Sequence, residues 1–79
     1  MPVTINLSTT LRTHVPDYKP DQGLTMALGA NQTLLDLANQ LGLPTQDIKI
    51  TMLNGRRVDL DTQVSDGDRV AFFPAVGGG

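Results

Sequence analysis

The chain of 79 residues contains no cysteine, no tryptophan and no glutamate. Without cysteine it forms no disulfide, no thiolate metal site and no cysteine nucleophile. Aromatic residues are also scarce, with one tyrosine and two phenylalanines, which argues against nucleic-acid binding by base stacking. The net charge of −2 points the same way, because a phosphate backbone requires clustered positive charge. These absences leave little chemistry to the side chains.

Long apolar runs are missing as well. No stretch approaches the roughly 20 residues that cross a membrane. Residues 1–11 lack the basic region and continuous apolar segment of a signal peptide. A chain of this length forms one small domain, and we expect it to be cytoplasmic.

Several short stretches alternate apolar and polar residues, which is typical of strands with one buried face. The predicted strands cover residues 3–11, 24–28, 48–52, 56–60 and 69–73. The second strand should run antiparallel to the first. In the last, Val70 and Phe72 share one face, and Ala71 and Phe73 share the other. Residues 12–23 contain two prolines and show no periodicity, so a loop is predicted there.

Helical spacing replaces this alternation between the second and third strands. The apolar stripe consists of Leu34, Leu37, Ala38 and Leu41. Thr33 and Asp36 have the spacing of a capping box, and Gly42 is the expected left-handed stop. We therefore predict an amphipathic helix of about ten residues, too short to be stable unless it packs on the sheet.

Two turn signals complete the predicted fold. Asn54-Gly55 is a strong hairpin signal, and residues 65–68 (Ser-Asp-Gly-Asp) are typical of a turn whose carboxylates accept backbone N–H bonds. The order of elements predicts an α+β fold of the β-grasp, ubiquitin-like type. Its mixed sheet would have four to five strands, with one helix on one face and the first and last strands parallel at the centre. We expect residues 1–74 to form this domain and 75–79 a flexible C-terminal glycine tail.

Clusters for catalysis or metal binding are not found in the sequence. The only histidine, His14, lies in the predicted loop, so neither a catalytic dyad nor a multi-histidine metal site is expected. Four aspartates crowd residues 59–68, but their spacing is not that of a calcium loop and suits turns and solubility. No metal site and no enzymatic activity of its own are therefore predicted.

The last three residues are Gly77, Gly78 and Gly79. A frayed end or a cloning remnant would also explain them, although residues 73–76 contain no tag-like sequence. Because glycine lacks a Cβ, such a segment can pass through a channel that excludes branched residues. It would present a bare carboxylate on a tether of roughly 10 Å. This pattern favours a carried reactant whose reactive atom is at its C-terminus.

Three segments resemble the ubiquitin-like sulfur carriers: residues 54–56 (Asn-Gly-Arg), residues 65–74 (Ser-Asp-Gly-Asp through Phe-Phe-Pro) and the terminal Gly-Gly. The family includes the small subunit of molybdopterin synthase and the carrier of thiamine-thiazole synthesis. Leu11-Arg12 and the start of the helix are similar too, so the resemblance covers nearly the whole chain.

The resemblance implies a mechanism centred on Gly79. An ATP-dependent activating enzyme, similar to ubiquitin-activating enzymes, would adenylate its carboxylate, and sulfide equivalents would displace AMP to leave a thiocarboxylate. That group would donate sulfur inside a partner synthase. Gly77 and Gly78 would thread into the partner, while Phe73 and Val76 would dock on it. No cofactor would be bound stably, since ATP is used by the activating enzyme.

Several functions remain open at this point. The length and the Phe-Phe-Pro stretch favour a carrier for molybdopterin, or its tungsten counterpart, over the usually shorter thiamine-thiazole carrier. A protein modifier joined through Gly79 to lysines shares the activation step, and a non-conjugating interaction domain is the third alternative. Expected partners are the activating enzyme and a sulfur-accepting synthase, such as the molybdopterin synthase large subunit. Nucleic acid and membranes are not expected partners. Ser8 and Arg57, near the implied partner face, are polar where the family tends to be apolar.

Overall fold

The computed structural model describes residues 2–16, 18–19 and 21–74, which form five strands, one α-helix and two short 3₁₀ helices. The strands are β1 (Val3–Leu7), β2 (Leu24–Met26), β3 (Ile48–Leu53), β4 (Arg56–Val58) and β5 (Arg69–Pro74). The helix α1 spans Leu34–Gln40, and the 3₁₀ helices span Thr9–His14 and Thr45–Asp47. No helix in this part of the chain is long and apolar enough to cross a membrane.

The strands form one mixed sheet in the order β2-β1-β5-β3-β4. β1 and β5 are parallel neighbours at its centre, and the other neighbouring strands are antiparallel. The predicted α+β, β-grasp fold is therefore confirmed, including the antiparallel second strand and the central parallel pair.

One face of the sheet packs against α1 to form the core. Its fully buried side chains come from alternate positions of the central strands and from the helical stripe: Val3, Ile5, Leu7, Val70, Phe72, Leu34, Leu37 and Ala38. Because strand side chains alternate between faces, the residues between these strand positions point to the opposite face. That face, here called the open face, carries exposed and half-buried side chains.

The first turn of α1 is fixed by the predicted capping box. The Asp36 backbone N–H donates to Thr33 Oγ1 (3.2 Å), and the Thr33 N–H donates to the Asp36 carboxylate (2.9 Å). Gly42 lies just beyond the helix at φ 75°, a left-handed conformation that glycine adopts without strain.

Replacing Thr33 with alanine removes this cap. We expect Thr33→Ala to lower the free energy of unfolding by about 1 kcal/mol, which for a domain of this size lowers Tm by about 4–8 °C. Thr33→Ser keeps the acceptor oxygen and is the matched control. Equal thermal melting of the alanine and serine variants would contradict a contribution from the cap.

Two sequence-based predictions of secondary structure were wrong around residues 8–14. The first strand ends at Leu7, and Leu11 lies in the 3₁₀ helix Thr9–His14, although it is buried as its pattern suggested. That helix also occupies the start of the predicted loop. At three residues per turn, a 3₁₀ helix of six residues makes only two turns, too few to show a hydrophobic period of its own, and the alternation of β1 therefore predicts a strand through it. The second and fourth strands and α1 are each a few residues shorter than predicted.

Side chains complete the outer edge of β1 where β2 ends. β2 pairs with Val3 to Ile5 only, so the backbone of Leu7 lies beyond its reach. The Leu7 N–H donates instead to Tyr18 Oη (2.9 Å), and its carbonyl accepts a bond from Arg12 Nε (2.8 Å). The Arg12 guanidinium lies 5.8 Å from the centre of the Tyr18 ring, within cation–π range. Tyr18 and Arg12 thus take the place of a strand at this position.

Removing the Tyr18 hydroxyl tests whether it replaces a neighbouring strand as the hydrogen-bond partner of Leu7. We expect Tyr18→Phe to leave the partly buried Leu7 N–H without its acceptor, costing about 1 kcal/mol and speeding hydrogen exchange at that amide. Thr13→Ala, an exposed change in the neighbouring 3₁₀ helix, should alter stability by no more than about 0.5 kcal/mol. Unchanged exchange at Leu7 in Tyr18→Phe would show that water replaces the hydroxyl without loss.

Candidate functional site

The predicted reactive end of the chain follows the most enclosed strand of the sheet. β5 has β1 on one side and β3 on the other, and its pairing with β3 extends to Ile48 opposite Pro74. Gly77, Gly78 and Gly79, together with Val76, lie outside the described residues, so their roles stay predictions. A segment that begins immediately after Pro74 begins from a rigidly held strand.

The open face beside this end carries rows of cross-strand neighbours. One row runs from Asn6 on β1 through Ala71 and Met52 to Arg57 on β4. The adjacent row, nearer the end of β5, pairs Phe73 with Ile50. Ile50, Met52, Ala71 and Phe73 form a continuous group, here called the apolar patch.

Phe73 is half-buried within the apolar patch. It lines an open depression of about 290 Å³, together with Asn6, Met52 and Ala71. The Ile50 side chain is 37% exposed. The predicted orientation of Phe73, away from Val70 and Phe72, is confirmed. Strand alternation puts its neighbour Ala71 on the same face of β5. It puts Ile50 and Met52 on one face of β3 together with Ile48, which is buried, and the irregular pairing between Ile48 and Ile50 separates them.

The two turn motifs that carried the family resemblance contact each other. Asn54 and Gly55 both have positive φ (53° and 83°), as in a type I′ hairpin turn. Asn54 Nδ2 donates to the Asp68 carboxylate, and Asn54 Oδ1 accepts the Arg69 N–H, each at 2.9 Å. Asp68 also accepts the Ser65 N–H at 2.8 Å, as predicted for this turn. The motifs therefore fix the β3–β4 hairpin to the start of β5.

The side chains of the described residues offer no metal centre: no cluster of three or more potential ligands occurs among them. His14 is exposed at the end of its 3₁₀ helix. Asp68, part of the aspartate-rich segment, is used in the turn network rather than grouped with other carboxylates.

Comparison with known proteins decides the family. The model of the ThiS family matches residues 18–79, which include β2, α1, the apolar patch and the glycine end. The chain belongs to the ThiS family. It is therefore a member of the ubiquitin-like sulfur carriers that its motifs resemble. No curated protein sequence matches this ThiS-family chain.

Solved structures support this assignment. A chain in the complex of subunits 1 and 2 of molybdopterin-converting factor from Helicobacter pylori is 25% identical to this chain, with 100% of both chains covered and a TM-score of 0.57. The Amycolatopsis orientalis BexX/CysO complex contains a chain 26% identical, covering 98% of this chain and 99% of that one, with a TM-score of 0.62. Small archaeal modifier protein 1 of Haloferax volcanii shares the fold at 17% identity, with a TM-score of 0.73 and coverage of 95% and 98%.

Proposed function

We propose that this ThiS-family chain is a sulfur carrier whose Gly79 carboxylate is activated and converted to a thiocarboxylate for cofactor synthesis. Membership of the family over residues 18–79 is the observation that carries the proposal. The position of β5 supports it, because a strand paired on both sides holds the body firmly while the end enters a partner. Molybdopterin, or its tungsten counterpart, is the proposed product pathway, and a thiamine-thiazole carrier is the alternative.

The proposed steps take place at the terminal carbonyl carbon. A carboxylate is a poor electrophile, so the Gly79 oxygen first attacks the α-phosphate of ATP, releasing pyrophosphate and forming an acyl-adenylate. Sulfide equivalents then attack the carbonyl carbon and displace AMP. The thiocarboxylate sulfur then adds to an electrophilic carbon of the acceptor substrate. Water hydrolyses the bond between the Gly79 carbonyl carbon and that sulfur, so the sulfur stays on the acceptor and Gly79 returns as a carboxylate. ATP belongs to the activating enzyme, and the carrier itself acts as co-substrate with no catalytic side chain.

Two partners follow from this scheme: an adenylating enzyme and a sulfur-accepting synthase. The similar chains from Helicobacter pylori and Amycolatopsis orientalis were both solved in complexes, which supports an assembly role. We propose that Phe73 and Val76 contact these partners. For Phe73 the support is its place in the apolar patch, since aromatic anchors often dominate interfaces. Gly77 and Gly78 would occupy the narrow approach to the active site.

Intact mass measurement tests the function. The protein is incubated with ATP, the activating enzyme of its own organism and a sulfur source, and then weighed. Exchange of one terminal oxygen for sulfur is expected. Adducts on lysines of other proteins without thiocarboxylate would identify a modifier instead, and an unchanged mass with an active enzyme would favour a non-conjugating interaction domain.

A further inference from the structure

Two arginines border the apolar patch on the open face. Arg57 is the cross-strand neighbour of Met52, and Arg69 precedes Ala71 by two residues on β5. Both are exposed. No aspartate occupies a strand position on this face, since the described aspartates lie in turns, loops or helices. The patch is therefore bordered by positive charge on two sides, although the whole chain is negative.

Neither arginine uses its charge within the described part of the fold. No hydrogen bond or ion pair joins the guanidinium of Arg57 or Arg69 to another described residue. The nearest acidic side chain along the chain from Arg69 is that of Asp68, which is held by the Ser65 N–H and by Asn54 Nδ2. Arg12 contrasts with this pair, because its Nε binds the Leu7 carbonyl and its guanidinium lies over Tyr18. The guanidinium donors of Arg57 and Arg69 thus remain available to a partner.

We propose that the open face binds an enzyme surface on which an apolar projection is flanked by carboxylates, and that Arg57 and Arg69 select that surface. The partner meant here is the enzyme that processes the glycine end, so the inference rests on the proposed function. Arginine presents a planar fork of donors that matches a carboxylate. The apolar patch supplies contact area, whereas charges at the rim of an interface mainly govern association rate and partner choice.

The same charges disfavour two other occupants. A second copy of this chain docked face to face would bring arginines toward arginines, and like charges across an interface oppose association. Two arginines beside the patch, on a chain of net charge −2, are far fewer than the clustered cations that a nucleic-acid surface requires. A carboxylate-bearing protein is the occupant that complements both the apolar patch and its arginines.

Charge reversal tests the proposal. Arg57→Asp, Arg69→Asp and the double variant are compared with Lys19→Asp, which reverses an exposed cation outside the sheet. Binding to the purified activating enzyme of the same organism is followed by stopped flow at several salt concentrations. The double variant should associate at least about tenfold more slowly at low salt, with a weaker salt dependence than the unaltered chain. Lys19→Asp should stay within about twofold, and Arg57→Lys should retain most of the rate.

Each other outcome overturns the inference. Unchanged association of the double variant, or an equal loss in Lys19→Asp, would show that the arginines do not select the partner. Sedimentation that reveals a dimer of the unaltered chain, lost in the double variant, would assign the face to a second copy. The proposed function is judged separately, by the mass gain of the unaltered chain at saturating enzyme. Its absence would refute sulfur carriage without affecting the binding comparison.

Discussion

A chain extended by one alanine after Gly79 is expected to form no thiocarboxylate, although it folds normally. The added residue moves the terminal carboxylate by about 3.5 Å, while reacting atoms must approach within about 3–3.5 Å in the correct alignment. A misplacement of even about 1 Å costs on the order of 10²-fold in rate. We therefore expect a loss of more than about 10²-fold, measured as pyrophosphate release and as intact mass.

The matched control carries the same extra alanine before Met1 and should react at the unaltered rate. Thermal melting of the extended chain should also be unchanged, because the last pairing of β5 is at Pro74, ahead of the altered end. Sulfur loading of the extended chain while its extra residue remains attached would rule out a mechanism at the Gly79 carboxylate.

Phe72 and Phe73 are adjacent, but we expect Phe72→Ala mainly to lower the stability of the fold and Phe73→Ala mainly to weaken partner binding. Phe72 is completely buried in the core, and its truncation should cost about 3–5 kcal/mol. A domain of this length has only about 4–12 kcal/mol of stability, so Tm should fall by at least about 12 °C. Phe73 lies half-buried on the open face, and its loss should cost at most about 1.5 kcal/mol.

Among folded molecules, Phe73→Ala should bind the partner more weakly than Phe72→Ala does. Truncating an aromatic anchor commonly costs about 2 kcal/mol of binding energy, so Phe73→Ala should weaken the complex with the activating enzyme by roughly 30-fold. Urea unfolding and titration of both variants, below the melting temperature of Phe72→Ala, separate the two effects. If Phe73→Ala binds like the unaltered chain, the apolar patch is not the docking surface.

The sequence predicts the elements whose signals are local. The hairpin at Asn54-Gly55 and the cap at Thr33 form as expected, because each depends on residues within a few positions of one another. The alternation of faces from Val70 to Phe73 was also predicted correctly, since side chains on a strand change face at every residue.

Features that depend on distant contacts could not be predicted in this way. Tyr18 binds the backbone of Leu7 from a segment without periodicity, and no local rule connects those positions. The apolar patch required the register between β3 and β5, including the irregularity between Ile48 and Ile50. Arg57 and Arg69 lie on the same face because β4 pairs with β3 and β3 pairs with β5. No local sequence pattern reveals these pairings.

The parallel pairing of β1 with β5 has a consequence for how the chain folds. Thr4 is aligned with Arg69, so the centre of the sheet cannot assemble until nearly the whole polypeptide has been synthesised. Closing such long loops is entropically costly and slows folding, and nascent copies leave Ile5 and Leu7 uncovered during translation. A product terminated before β5 lacks a central strand and should be removed by proteases as an unfolded chain. Every folded copy has consequently been translated through Pro74, three residues before the first of the terminal glycines.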